Sequence, residues 1–491
     1  MKHFYISALL LAFTCSALNA SSSVNGLPDD ERPNILLILS DDHGVEDSGA
    51  YGNSVIATPN IDQLATQGMR FDNAFATQAI CAPSRQSLYT GLYPLRHGGH
   101  RNHTEVIPST LSLPHYFEPL GYQVHLAGKT HFGPSEAFPF NKLSKSKNTF
   151  SDSSSNIAKY FAAMQQVFEQ TEQPFFIVAA TSLPHTNVGL NEGYPEPVNY
   201  QPKDVPLPPY LIDTPETRIE RAGYYELVSG LDNDIGTLLK LLESSASADN
   251  TLVIYTSDHG AGFAFEKWTN YDAGLHVPLI VTWPNKIPPN SESDALVSLI
   301  DILPTLLEAT GGTTPHNIDG KSFLPVLKSE RENHRALVFA SHTTLGIRNA
   351  SDATPIRSVR SERYKYIRNL NPDGLFTNNV TEKGQGGWFS WLEQAQTDAV
   401  TKQRTQHYQK RPYEELYDLL NDPYELNNLA NDAGLQSQKV YLSTQLDTWM
   451  IQQNDLGLDA PVTPMNMPWW QMLLAGVFFA IQWVIGLFSA S

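Results

Sequence analysis

Cys81 sits among residues that a purely structural thiol would not need. It opens the run Cys81-Ala82-Pro83-Ser84-Arg85, with Leu88 and Thr90-Gly91 beyond. Pro83 and Ser84 favour helix initiation, which places the cysteine at a helix N-terminus, where free N–H groups and the dipole attract an anion. Arg85, one turn further on, can pair with that anion or with a modified cysteine. Two acidic clusters, Asp41-Asp42 and Ser257-Asp258-His259-Gly260, each close an apolar run. Their oxygens suit a hard cation, calcium before magnesium. One acidic pair after a strand is usually a turn or a helix cap; two at matching strand ends point to a metal site. Lys129 and His131 follow another apolar run, His185 follows a further one, and Lys267 lies shortly after Asp258. Singly these read as surface lysines or histidines satisfied by the core. With Arg85, they supply cations for the oxygens of a tetrahedral anion and a proton donor for its leaving group.

These residues need a scaffold that gathers strand ends. Residues 34–40 read as a buried parallel strand running into Asp41-Asp42, and further strands are expected at 123–127, 175–180 and 251–256. Helices are expected at 59–67, with Pro59 in the first turn, and at 218–242. Strands alternating with helices predict an α/β fold: a large, mostly parallel sheet sandwiched by helices, with ligands bound at the carboxyl ends of its strands. Beyond residue 330 the pattern changes. Short alternating runs at 336–340, 358–360 and 364–368, then a helix at 436–452, predict a smaller C-terminal antiparallel sheet plus helix. Residues 142–155 read as a polar loop and 371–404 as a long irregular insertion, a length more often functional than ornamental. The expected division is 32–329 for the catalytic domain and 330–458 for the smaller subdomain.

The 491-residue chain is acidic, with a formal net charge of −18 and 41% hydrophobic residues. Such a chain is a poor nucleic-acid binder, and an anionic substrate must find a local basic pocket. Lys2 and His3 precede an apolar run at 4–13 and the small residues Ser16, Ala17 and Ala20, the pattern of a secretory signal over 1–20. Lipidation at Cys15 is the alternative, which Thr14 fits poorly. Without the leader Cys81 is the one remaining cysteine, and no internal disulfide can form. A leftover cysteine in an exported protein calls for an explanation. Residues 467–489 form a hydrophobic segment long enough to span a bilayer, a candidate membrane anchor, with a docked helix or a dimer contact as alternatives. Oligomeric state is open.

From Pro33 to about Trp449 the chain resembles the type I sulfatases of the alkaline-phosphatase superfamily. The Cys81 to Arg85 run is similar to their formylglycine signature. Within that family it is most similar in appearance to the heparan N-sulfatases, or sulfamidases, through Asp41-Asp42 with Ser48-Gly49-Ala50-Tyr51, Ala57-Thr58-Pro59, Asn73-Ala74-Phe75, Pro355 to Arg360, and Glu415-Leu416-Tyr417-Asp418. The resemblance implies one calcium ion held by Asp41, Asp42, Asp258 and His259 with the modified Cys81. It implies that a formylglycine-generating maturation enzyme converts Cys81 to 3-oxoalanine, and that Arg85 and Lys129 stabilise this residue. His131 would help expel sulfate, and His185 and Lys267 would contact sulfate and assist the leaving group. The chain also departs from the family pattern. His259 stands where asparagine is frequent, Thr130 where tryptophan is common, and the surroundings of Lys267 are more like those of O-sulfatases. A sulfated carbohydrate of ulvan or heparan type is therefore the expected substrate, acted on in the periplasm or at the cell surface. The rival readings are a phosphodiesterase or phosphonate hydrolase of the same superfamily, and a catalytically silent carbohydrate-binding surface protein.

Overall fold

The computed structural model describes residues 32–143, 154–170, 173–186, 194–343 and 353–457, together with 347 and 350. The expected leader, Cys15 and the segment 467–489 lie outside the described residues. Among the described residues no helix is long and apolar enough to cross a membrane.

The centre of the large sheet is β1 (Asn34–Asp41), whose residues after Asn34 are all buried. Its side chains alternate between two cores. Ile35, Leu37 and Leu39 join one, and Leu36 and Ile38 the other, so both faces must be covered by helices. On one side lie β6 (Phe175–Pro184), β4 (Gln123–Gly128) and β5 (Asn141–Lys142), all parallel to their neighbours. On the other side lies β7 (Thr251–Ser257), also parallel to β1. Beyond it β8 (Leu279–Thr282) runs antiparallel to β7, and β2 (Met69–Phe71) antiparallel to β8, with β9 (Ser291–Ser293) parallel to β2 at the edge. A separate short pair is formed by β3 (Ala74–Phe75) and β10 (Val297–Ser298). The large sheet is thus mostly parallel, as expected, and the parallel half is the half that carries the acidic clusters.

The helix Pro215–Glu243 starts where Thr214 accepts the Thr217 N–H, and Leu231, Ile235, Leu238 and Leu242 bury one stripe against the sheet. Between these residues Asp232 is fully buried. It accepts the N–H groups of Asn60 (3.0 Å) and Ile61 (2.8 Å) at the start of the helix Pro59–Thr66, so a carboxylate satisfies that helix N-terminus.

A separate antiparallel sheet follows in the order β11 (Val338–His342), β12 (Ile356–Arg360), β13 (Tyr364–Asn369) and β14 (Glu414–Asp418), with the helix Gln436–Gln452 on it. The expected short strands are present. β14 was not anticipated as a strand, because its Glu-Glu-Leu-Tyr-Asp sequence lacks a β-branched residue. The expectation of an irregular insertion at 371–404 fails more broadly. This segment carries helices at Asn379–Lys383 and Trp388–Gln394, and a third at Ala399–Gln409 extends past its end. Buried Trp388, Trp391 and Tyr408 hold them to the core, so tertiary packing rather than periodicity makes them helical. The expected polar loop at 142–155 is likewise shorter. Asn141–Lys142 pairs with β4 and a helix begins at Ser154, the residues between 144 and 153 lying outside the described set.

Ionic contacts join the small sheet to the segment that follows β7. Asp272 receives Arg360 Nε at 3.0 Å and Lys365 Nζ at 2.6 Å, while Lys365 also reaches Glu425 at 3.2 Å. Burial disfavours the Asp272 carboxylate, but Lys365 and Arg360 outweigh it and hold its pKa below the usual range. Asp272→Ala leaves both cations buried without this partner and is expected to cost about 3–5 kcal/mol, read by urea denaturation. A carboxyl with a depressed folded-state pKa stabilises above its unfolded value and loses that contribution as pH falls. The difference between wild type and variant should therefore shrink below about pH 4.

Candidate active site

Four parallel strands bring their last residues to one edge. The registers set Ser40 beside Ser257, Asp41 beside Pro184 and Gly128 beside Ala180. Asp41-Asp42, Lys129, His185 and Asp258-His259 therefore emerge together at the carboxyl end of the sheet. Asp42 turns there with a left-handed φ of +66°, and its N–H donates to Asp258 Oδ1 at 3.2 Å. Gly260 is required behind this cluster, because a Cβ at that position would lie 2.1 Å from the Ala273 carbonyl oxygen.

Cys81 begins the helix Cys81–Thr90 and is buried. Its Sγ lies 3.3 Å from His259 Nε2 and 3.9 Å from Asp42 Oδ1. Burial pushes the thiol up to about 12, with Lys129 and Lys267 only partly offsetting it. A thiol held neutral in this way is a poor nucleophile.

Three cations face three carboxylates. Arg85, fully buried, donates from Nε to Asp258 Oδ2 at 2.8 Å and from Nη2 to the Ser40 carbonyl at 3.1 Å, with Nη2 3.5 Å from Asp41 Oδ1. Lys129 pairs with Asp41 Oδ2. Lys267 Nζ donates to both oxygens of Asp42 at 2.8 Å. Burial works against ionised Asp41, yet Lys129, His185, Arg85 and Lys267 bring its pKa well below the ordinary carboxylate range. Burial also opposes charge on Lys267, and Asp42 more than restores it.

His185 Nε2 lies 3.9 Å from Asp42 Oδ2, and its pKa is lowered by burial and by Lys267. His131 stands apart from the carboxylates. Its Nε2 meets His103 Nδ1 at 2.9 Å, with the two rings 4.7 Å apart. Both residues have left-handed φ, +46° for His131 and +59° for His103, a backbone cost typical of functional sites. His103 had not been singled out from the sequence. It lies in a polar loop without periodicity, and only the fold brings it to His131.

One ligand atom from each of Asp41, Cys81, Asp258 and His259 lies within 4.8 Å of the others, and Asp42, Cys81 and His185 form a second such group. Asp41 Oδ1 is buried and accepts no hydrogen bond. An oxygen-rich donor set with an unsatisfied carboxylate oxygen fits a hard cation.

A helix N-terminus bearing Cys81, buried carboxylates and converging basic groups define a hydrolase site for a tetrahedral anion. Comparison with known proteins makes this specific. The Sulfatase family profile matches residues 33–312, and the profile named N-sulphoglucosamine sulphohydrolase, C-terminal, matches residues 259–377. An ulvan-active sulfatase of Formosa agariphila is 34% identical over 447 residues, covering 90% of this chain and 83% of that protein. Human N-sulphoglucosamine sulphohydrolase is 32% identical over 482 residues, covering 88% and 92%. A structure solved with its substrate D-glucosamine-2-N,6-O-disulfate shares the fold, with a TM-score of 0.66 at 21% identity over 87% of this chain and 99% of that one. So does the phosphonate monoester hydrolase of Agrobacterium radiobacter, with a TM-score of 0.65 at 21% identity over 86% and 96%. The chain belongs to the sulfatase family of the alkaline-phosphatase superfamily, close to its sulfamidase-like members. It is a sulfuric ester hydrolase.

Arg85 ties the helix carrying Cys81 to two buried carboxylates. Arg85→Met removes the guanidinium from both, and the expected loss is about 3–5 kcal/mol in urea denaturation with chelator present. A loss under about 1 kcal/mol, the range of an exposed pair, would show that the ionic contact is not structural.

Proposed function

We propose that the enzyme removes sulfate groups from a sulfated carbohydrate, using Cys81 converted to formylglycine and a calcium ion beside it. The observation that carries this reading is the buried Cys81 at a helix N-terminus, touching His259 within a shell of carboxylates. Relatives named for ulvan and for N-sulphoglucosamine support a sulfated sugar as substrate. Conversion of the thiol requires an oxidising maturation enzyme, and the leader pattern in the sequence supports an exported compartment.

Asp41, Asp42, Asp258 and His259 would hold the cation, which supplies Lewis acidity toward sulfate oxygens. Formylglycine at position 81 would supply a geminal diol as the nucleophile toward sulfur, the chemistry by which one difficult displacement becomes two easier ones. Arg85 fixes the helix end, and Lys129 balances Asp41 beside Cys81. Lys267 holds sulfate oxygens. His185 gives a proton to the departing sugar oxygen, because the charge of a bound sulfate ester favours its protonated form. His131 accepts the proton whose loss expels inorganic sulfate, and His103 fixes the orientation of the His131 ring.

The Cys81 peptide from the native host should be lighter by about 18 Da than the unmodified peptide, the difference between thiol and aldehyde. Cys81→Ala should lower turnover of p-nitrophenyl sulfate on the order of 10⁴-fold or more. An unshifted peptide in active enzyme would remove formylglycine from the mechanism. Turnover of phosphate diesters above that of the sulfate ester would favour the phosphonate hydrolase reading. For the cation, calcium added to chelator-treated protein should raise the melting temperature by mass action, and Asp258→Asn should abolish both that shift and activity. An unchanged shift in Asp258→Asn would exclude Asp258 as a ligand.

A further inference from the structure

A large cavity lies apart from the cysteine. It measures about 1010 Å³, and its walls include none of Asp41, Asp42, Cys81, Lys129, His131, His185, Asp258, His259 or Lys267. It lies between the loop 44–47, the loop around Phe265 and Glu266, the helix Ala399–Gln409 and the segment 423–428. The Phe265–Lys267 loop separates the two sites. Lys267 turns to Asp42, while its neighbour Glu266 lines the cavity.

The lining is amphipathic in a particular way. Tyr424 and Tyr210 have ring centroids 6.1 Å apart, and Tyr210 and Phe265 are 6.4 Å apart, which makes a run of aromatic groups along the wall. Sugars present apolar C–H faces that such rings accept and hydroxyls that need polar partners. Glu266, only 2% exposed, accepts the Tyr210 hydroxyl at 2.9 Å on Oε1, while its Oε2 is buried without a partner. Burial pushes this carboxyl up to about 8, although Arg221, 3.6 Å from its Oε1, opposes the shift. Among the other charged groups of the wall, Asp47 pairs with Arg221, Asp272 with Arg360 and Glu425 with Lys365, which leaves Glu46 and two cations. Arg404 lies 5.8 Å over the Phe265 ring and forms no ion pair among the described residues, and Lys410 follows at the end of the same helix. Cations without carboxylate partners, beside aromatic rings and a buried carboxyl lacking one hydrogen bond, form a lining suited to an anionic saccharide. The volume is at the upper end of the usual range for ligand pockets and exceeds what a single sugar ring needs.

We propose that this cavity is a second saccharide-binding site, which holds a sulfated sugar unit of a polymeric substrate away from the catalytic cysteine. Half-buried Tyr424 contacts a sugar ring, backed by the nearly buried Tyr210 and Phe265, Glu266 at the wall engages a hydroxyl, and Arg404 and Lys410 take sulfate. The proposal rests on the reading of the enzyme as a carbohydrate sulfatase. It gives the acidic chain two cations, Arg404 and Lys410, without carboxylate partners among the described residues.

The test compares wild type with the double variant Arg404→Ala/Lys410→Ala, two side chains that reach solvent and lie outside the catalytic cluster. On p-nitrophenyl sulfate, which is too small to bridge both sites, kcat/KM should stay within about twofold of wild type. On sulfated ulvan or heparan fragments of eight or more sugars, KM should rise roughly tenfold with kcat unchanged, a loss of about 1.4 kcal/mol in binding. Calorimetry of the same fragments with Cys81→Ala protein should show this weakening without turnover. An unchanged KM on the fragments overturns the proposal, and so does an equal loss on both substrates, which would mark a structural defect. Failure of the sulfatase reading is distinguishable, because the wild type would then release sulfate from neither substrate.

Discussion

Burying Asp41, Asp42 and Asp258 at the ends of adjacent parallel strands is the constraint on which the rest of the site depends. Each is at most 1% exposed, and isolated buried carboxylates would protonate or prevent folding. The chain answers with Arg85, Lys129 and Lys267, one from a helix, one from a strand end and one from a loop. The cations that neutralise the cluster are thereby fixed in position before any sulfate arrives. Such preorganisation is what stabilises developing charge at low cost, because no groups need to reorient during the reaction. It also explains why the thiol itself is a poor reagent. The surroundings that favour carboxylates beside cations leave Cys81 neutral. They suit a neutral nucleophile that acts only when a base accepts its proton.

The geometry follows from register more than from any single contact. A one-residue slip between β1 and β7 would separate Asp42 from Asp258, whose oxygen accepts the Asp42 N–H. A buried strand flanked on both faces by apolar cores resists such a slip, because every side chain would exchange cores. Asp232 and Asp272 extend the same solution outward. One satisfies a helix N-terminus and the other joins the small sheet to the segment following Lys267. Buried carboxylates therefore serve both as candidate ligands and as anchors that set where those ligands lie.

Much of this was legible in the sequence, and the part that was not has a physical explanation. Apolar runs ending in Asp-Asp or Asp-His could be read as strands feeding a ligand edge, because a strand buried on both faces leaves a continuous hydrophobic signature. Cys81 was legible because its helix start is coded locally by Pro83 and Ser84. His103 was not, since its contact with His131 spans 28 positions and depends on two left-handed backbone turns. The helices between 379 and 409 were also missed. Two of them are only five and seven residues long and the third is mostly polar, so periodic signal is weak, and they fold because Trp388, Trp391 and Tyr408 find a core built by distant segments. The direction of Glu266 was hidden for a related reason. In a loop, adjacent residues have no fixed facing, so nothing in Glu266-Lys267 shows that the two point into different sites.

The overall charge bears on how such an enzyme meets its substrate. A net charge of −18 repels a sulfated polymer at a distance, and salt weakens that repulsion over about 10 Å. Local cations then decide the encounter. In the catalytic cluster Arg85, Lys129 and Lys267 are engaged with carboxylates, so little positive potential remains to draw a polyanion in. Arg404 and Lys410 have no such partners among the described residues and can act on a chain that has not yet reached Cys81. With the proposed second site, capture and chemistry fall to different cations. The catalytic ones can be held rigidly for the reaction because they are not also required to attract the polymer.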